Sequence, residues 1–298
     1  MGPFTLGSDP HILGHETAAT VIKVGDKVTN VKPGDRVTLE PAIPCYSCEA
    51  CRRGENNLCP FADDNVVGSP PRNGCLQRLF VHPADLLHKL PDNMTMEEGA
   101  LIEPMACVVH SIRRAQITVG QNVLITGAGP IGLLCMLTAK AYGAGKVCIT
   151  DLNPGRLDHA KRIGADFTYE VKRGVDAKEM AKQIEELMGG KPNTTLECTG
   201  VESALQLSLN VTKPGGRVAL VGLGPEFVNV PLCMASLRQV DIVGCARYNN
   251  TFPLAIELIS SGRVDAKQVV THKFPLEDSS KAFENVVRGE GSKVLIQC

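Results

Sequence analysis

A glycine-rich run, Gly127-Ala128-Gly129-Pro130-Ile131-Gly132, lies between an apolar stretch (Asn122–Thr126, NVLIT) and a segment with helical periodicity, Pro130–Tyr142. Few folds accept that order. Five residues with no polar alternation suit a strand buried on both faces, which parallel sheets covered by helices provide. The same alternation continues downstream. Lys146–Thr150, Thr195–Cys198, Arg217–Val221 and Asp241–Val243 read as strands. Between them, Gly155–Ile163, Lys178–Met188 and Ser203–Leu209 read as helices, the first opened by Asn153 as N-cap and Pro154 at the first helical position. The pattern predicts an α/β fold, a doubly wound parallel sheet with right-handed crossovers.

The glycines define what that sheet binds. Gly127 permits the tight turn after the strand, Gly129 lets the backbone approach a pyrophosphate, and Gly132 allows close helix–strand packing. The helix beginning at Pro130 then offers its N-terminus to phosphate charge. Asp151 ends the next strand at the spacing expected for a ribose-binding acid. A carboxylate there accepts hydrogen bonds from both ribose hydroxyls and repels a 2′-phosphate, so the expected cofactor is NAD rather than NADP.

The N-terminal residues up to 103 read as an irregular all-β segment, with strands at Thr17–Val24 and Arg36–Leu39 joined through a Pro-Gly turn. Within this stretch Cys45, Cys48, Cys51 and Cys59 crowd into one loop, while the other eight of the 12 cysteines are scattered among apolar residues. Tetrahedral zinc takes four thiolates and keeps no open position in such a set, so the lobe reads as a structural zinc site. The start of the chain has neither a basic nor an apolar leader pattern. Clustered thiols without such a leader fit the reducing cytosol. A net charge of -1 gives no basic stripe for nucleic acid. No apolar run approaches the roughly 20 residues of a membrane span. The closing part, Arg247–Cys298, reads as helices near Pro253–Ser260 and Ser279–Val287 and a final strand Lys293–Gln297.

Taken in order, Gly14-His15-Glu16, the four-cysteine lobe, Glu103-Pro104, the GAGPIG loop with Asp151, and Arg247-Tyr248-Asn249 resemble the zinc-dependent medium-chain dehydrogenases, most of all their polyol branch. Stretches such as LPDNMTMEEGALIEP and VTHKFPLEDSSKAFE are similar to that branch too. The resemblance implies a GroES-like catalytic domain built from residues 1–105 and 247–298, with a Rossmann-type NAD-binding domain, 106–246, inserted between them. It implies a catalytic zinc held by a cysteine, His15 and Glu16, with Glu103 beside the zinc-bound water or substrate. Arg247 and Tyr248 match residues lining the substrate and nicotinamide site. Ile131, Asp151, Arg156 and Arg247 match cofactor positions, and Val221, Gly222 and Leu223 match the strand end that abuts the nicotinamide. The implied reaction passes hydride between a small polyol and NAD, giving the ketose, in a homotetramer or homodimer that pairs the edge strand Asp241–Val243.

Three departures bear on that expectation. The family carries its catalytic cysteine in a segment before Gly-His-Glu, and Met1 begins shortly before Gly14, so that ligand is not in this sequence. A catalytically silent NAD-binding short form is therefore one alternative, and a secondary-alcohol or threonine-type dehydrogenase is another. Cys107 stands where alcohol dehydrogenases place a cysteine ligand; it reads either as a small apolar core residue or as a substitute ligand. At Val66-Val67-Gly68-Ser69 the polyol branch tends to have an aromatic first, so Val66 predicts a wider substrate pocket.

Overall fold

The computed structural model describes residues 10–298, which divide into two compact units: Val108–Ala246, and residues 10–107 with 247–298. The continuous unit holds a six-stranded, all-parallel sheet of β1 (Val123–Thr126), β2 (Val147–Asp151), β3 (Phe167–Glu170), β4 (Thr194–Glu197), β5 (Arg217–Leu220) and β6 (Asp241–Gly244). Their spatial order is β3-β2-β1-β4-β5-β6. Between β1 and β4 the winding reverses, and ligands of doubly wound sheets bind at the carboxyl ends of the strands beside that point.

Every residue of β1 and β4 is buried, as the apolar run before the glycine loop requires. Leu124 and Cys148 of the sheet pack against Ile184 and Met188 of helix Ala177–Met188 and Leu207 and Val211 of helix Glu202–Val211. Helix ends follow local chemistry. Asn153 and Asp176 cap their helices through side-chain oxygens, and Gly189 closes the second in a left-handed conformation (φ 69°). The strand Phe167–Glu170 escaped the sequence reading because, among the described residues, it lies at an edge of the sheet with Phe167–Tyr169 half-buried and Glu170 exposed.

The discontinuous unit corrects the expectation of an all-β N-terminal segment. It has a three-stranded antiparallel sheet of Ala18–Thr20, Arg36–Leu39 and Leu87–Lys89, with Arg36–Leu39 central. It also has short helices at Glu49–Arg52, Pro60–Asp63 and Met96–Ala100. The last is set by a capping box: Thr95 accepts from the Glu98 N–H while Glu98 accepts from the Thr95 N–H. The strand expected over Thr17–Val24 shrinks to Ala18–Thr20: Val21 still exchanges backbone hydrogen bonds with Asp35 and Gly34, where the partner turns at Gly34 (φ 91°), and Ile22 beyond it is 68% exposed. Helix Ile102–Ala115 begins in this unit and was also missed. Pro104 reads as a breaker, yet in the first turn a proline gives up only an N–H that has no helical partner.

The C-terminal part adds helices Phe252–Ser260 and Ser279–Val287 and a parallel pair of strands, Val270–Pro275 and Lys293–Gln297. Among the described residues no helix is long and apolar enough to cross a membrane.

Candidate metal and dinucleotide sites

The cysteine lobe is built by short-range geometry. Tyr46 and Gly54 both take positive φ, folding Cys45–Cys59 back on itself. The sulfur atoms of Cys45, Cys48, Cys51 and Cys59 all lie within 4.8 Å of one another, and none is in a disulfide. Four ligands about 2.3 Å from a central zinc stand roughly 3.8 Å apart, so this donor set fits the ion. Backbone N–H groups point at the sulfurs: Cys48 N donates to Cys45 Sγ (3.3 Å), Cys51 N to Cys48 Sγ (3.5 Å) and Cys45 N to Cys59 Sγ (3.4 Å). The Ser47 hydroxyl and two backbone donors pull the Cys45 thiol down to about 6, whereas burial and neighbouring thiols push Cys51 up to about 12. Thiols this close resist ionising together until a cation balances them.

A second group gathers in the same unit. Ligand atoms of His15, Glu16 and Glu103 lie within 4.8 Å of one another. His15 and Glu16 precede strand Ala18–Thr20, and Glu103 sits in the first turn of helix Ile102–Ala115. One nitrogen and two carboxylate oxygens suit zinc or another borderline cation. Desolvation by the surrounding protein, then the Lys293 charge, hold the His15 imidazole below its usual pKa, keeping it in the neutral form that binds metal. Burial pushes the Glu103 carboxyl up to about 7, against the opposing effects of the Cys107 thiol and the Arg247 charge. The Cys107 Sγ–H, one helical turn on, donates to Glu103 Oε1 at 3.7 Å; Cys107 does not join the three-residue group itself.

His15 and Glu16 line a groove of about 1730 Å³ whose other walls include Val21, Leu39, Phe80 and Leu295. Arg247 and Tyr248 line a different cavity, of about 180 Å³, with Glu40, Asn56 and Asn249. Tyr248 is 5% exposed; its hydroxyl accepts the Ala42 N–H at 2.9 Å and its ring meets Phe252 edge-on. Arg247 adopts a positive φ of 52°, pairs through Nη2 with Asp63, and keeps Nη1 buried without a partner. Val66 forms a bridge to Ala42, and Ser69 N donates to its carbonyl, so this segment closes on itself as a turn.

In the continuous unit the dinucleotide residues lie at the carboxyl ends of the strands. Gly127 has φ 91°, and a Cβ on Gly132 would stand 1.8 Å from the Gly127 carbonyl oxygen, so no side chain fits there. At Gly129 the space a Cβ would take is empty of protein atoms, which leaves the first turn of helix Pro130–Ala141, with Ile131 in it, open to a phosphate. Asp151 Oδ2 accepts the Ala128 N–H (2.8 Å) and Oδ1 the Asn153 N–H (2.9 Å), tying the acid to the loop. Arg156 keeps Nε buried and unpartnered, a donor that an anionic ligand can use. The cofactor therefore fits this end of the sheet.

Glu197 escaped the sequence reading. Wholly buried at the end of β4, it accepts from the Thr126 hydroxyl (3.1 Å), the Thr199 N–H (2.8 Å) and the Gly200 N–H (2.9 Å). Its carbonyl takes the N–H groups of Val221 and Gly222. One side chain and one carbonyl thus fix the strand end that carries Val221, Gly222 and Leu223. An acidic residue beside a Cys-Thr-Gly turn was the available signal.

Residues 2–92 match the alcohol dehydrogenase GroES-like domain, and residues 130–261 match the zinc-binding dehydrogenase family. Sorbitol dehydrogenase of Gallus gallus is 47% identical over 298 residues, covering 100% of this chain and 83% of that protein. Sorbitol dehydrogenase of Bos taurus is 48% identical over 289 residues, covering 97% and 80%. Among solved structures, 2R,3R-butanediol dehydrogenase from Bacillus subtilis superposes with a TM-score of 0.88 at 28% identity, covering 98% of this chain and 82% of that one. The chain belongs to the zinc-dependent medium-chain dehydrogenases, in their polyol branch. Its architecture is that of the family, a Rossmann-type parallel sheet inserted in a GroES-like domain.

Proposed function

We propose that this protein is an NAD-dependent zinc polyol dehydrogenase, oxidising a sorbitol-, xylitol- or L-arabinitol-type polyol to the ketose. The observation that carries this reading is the convergence of His15, Glu16 and Glu103 in a chain 47% identical to a sorbitol dehydrogenase. His15, Glu16 and Glu103 would hold a zinc whose Lewis acidity would lower a substrate hydroxyl's pKa, and the Gly127–Gly132 loop would hold the NAD that takes up the hydride. Glu103, buried beside His15 and Glu16, would stand next to the zinc-bound water or substrate. Arg247 and Tyr248 line a cavity distinct from the His15–Glu16 groove, yet both interact electrostatically with Glu103, and Arg247 Nη1 is a buried donor without a protein partner that a polyol hydroxyl could use. Asp151 selects NAD by meeting the ribose diol, with Arg156 and the Gly127–Gly132 loop at the phosphates. The Cys45–Cys59 lobe holds the second, structural zinc.

A substrate panel tests the assignment. With NAD, NADH absorbance should rise with sorbitol, xylitol or L-arabinitol; with NADP in its place, NADPH should form more slowly. NADH formed only from L-threonine or a simple secondary alcohol would move the chain to another branch, and no turnover with any of them would favour a silent NAD-binding form.

The proposed setting is cytosolic and the proposed assembly a homotetramer or homodimer. Among the described residues, edge strand β6 is paired on one side only, and Ile242 on it and Leu237 just before it are 38% and 75% exposed. Light scattering at micromolar concentration should report a dimer or tetramer; a monomer would count against this assembly.

A further inference from the structure

Lys293 opens the final strand, yet its side chain is only 15% exposed and its ammonium forms an ion pair with Glu16 Oε2. The two residues are 277 positions apart in sequence, so the contact is made by the fold of the unit. Lysine is a strongly hydrated point charge, and burying it costs free energy unless a carboxylate meets it. Glu16 is that carboxylate, and Glu16 is also a proposed metal ligand. A carboxylate has two oxygens. With Oε2 held by the ammonium, Oε1 is left for a cation shared with His15 and Glu103, beside which Glu16 places a carboxylate oxygen.

We infer that Lys293 is a positioning residue that fixes Glu16 for metal binding. The inference rests on the assignment of His15, Glu16 and Glu103 as the catalytic zinc group. Two effects of the ammonium oppose each other: its charge repels a divalent cation, and its hydrogen bond removes the freedom of a ligand side chain. Outer partners of metal ligands, when deleted, typically cost about 10-fold to 100-fold in metal affinity, which makes orientation the larger effect. Lys293→Arg keeps a donor to Oε2, whereas Lys293→Met keeps the apolar stem and removes the donor.

The test is competition between a graded chelator and zinc-loaded full-length protein, with zinc counted per chain. The thiolate zinc of the Cys45–Cys59 lobe, far from Lys293 in ligand chemistry, is the internal reference for folding. Lys293→Met should weaken the second zinc by about 10-fold to 100-fold while the lobe keeps its ion, and Lys293→Arg should recover most of that loss. Unchanged or tighter binding in Lys293→Met would overturn the inference, because the ammonium would then be inert or repulsive. Loss of the lobe zinc as well, unrescued by arginine, would assign Lys293 to the stability of the fold and overturn it too. A single zinc per chain in the unsubstituted protein would fail differently, by removing the assignment of the metal group itself.

Discussion

His15→Ala should lower NAD-dependent polyol oxidation by about 10³-fold while NAD affinity stays within a factor of two or so of the parent. Lewis-acid stabilisation by a metal is worth several kcal/mol, and each 1.36 kcal/mol is about a factor of ten in rate. His15 is the sole nitrogen in its group, beside the carboxylates Glu16 and Glu103, so removing it leaves only oxygen ligands. Borderline zinc prefers nitrogen or sulfur to an all-carboxylate set. The dinucleotide loop belongs to the other compact unit. Stopped assays of NADH formation with calorimetric NAD titration separate the two effects. Retained turnover would show that the reaction does not need a metal at His15.

Cys59→Ser should release the lobe zinc and open the loop it ties. Structural zinc in small thiolate sites contributes about 10–16 kcal/mol of apparent binding free energy near neutral pH, and that binding is also folding free energy. Cys59 is the best placed of the four for this test: it is 0% exposed, and its sulfur accepts the Cys45 N–H across 14 residues of chain. Without the ion, little apolar material remains to hold the lobe, since Tyr46, Leu58 and Phe61 are each at least half exposed. The expected result is one zinc fewer per chain and rapid proteolytic cleavage within Cys45–Cys59. Because Asp63, just beyond the lobe, pairs with Arg247, turnover should fall as well. A variant with the parent's zinc content and protease resistance would contradict the thiolate site.

What the sequence made legible follows the range of the interactions involved. The parallel sheet was visible because β1 is buried on both faces and therefore apolar throughout, and because the glycine loop permits so few continuations. The cysteine lobe was visible because its four ligands lie within 15 residues. Helix Ile102–Ala115 was hidden by Pro104, a breaker only outside the first turn. Strand Val270–Pro275 was hidden because burial alternates along it, and Lys273 and His272 interrupt the apolar pattern. The site itself was half legible. His15, Glu16 and Glu103 came from motif order, but their meeting is tertiary, and so is the Lys293–Glu16 pair between opposite ends of the chain. The separate cavity lined by Arg247 and Tyr248 likewise depends on where Phe252 and Ala42 place the tyrosine. No local pattern encodes that.

Metal counting during turnover decides whether this protein works as a two-zinc, NAD-linked polyol dehydrogenase. Protein that forms NADH from a polyol should carry two zinc ions per chain. Mild chelation should remove one of them together with the activity, and returning zinc should restore both. One zinc per chain that resists chelation, with polyol-dependent NADH formation unchanged throughout, would contradict a catalytic zinc.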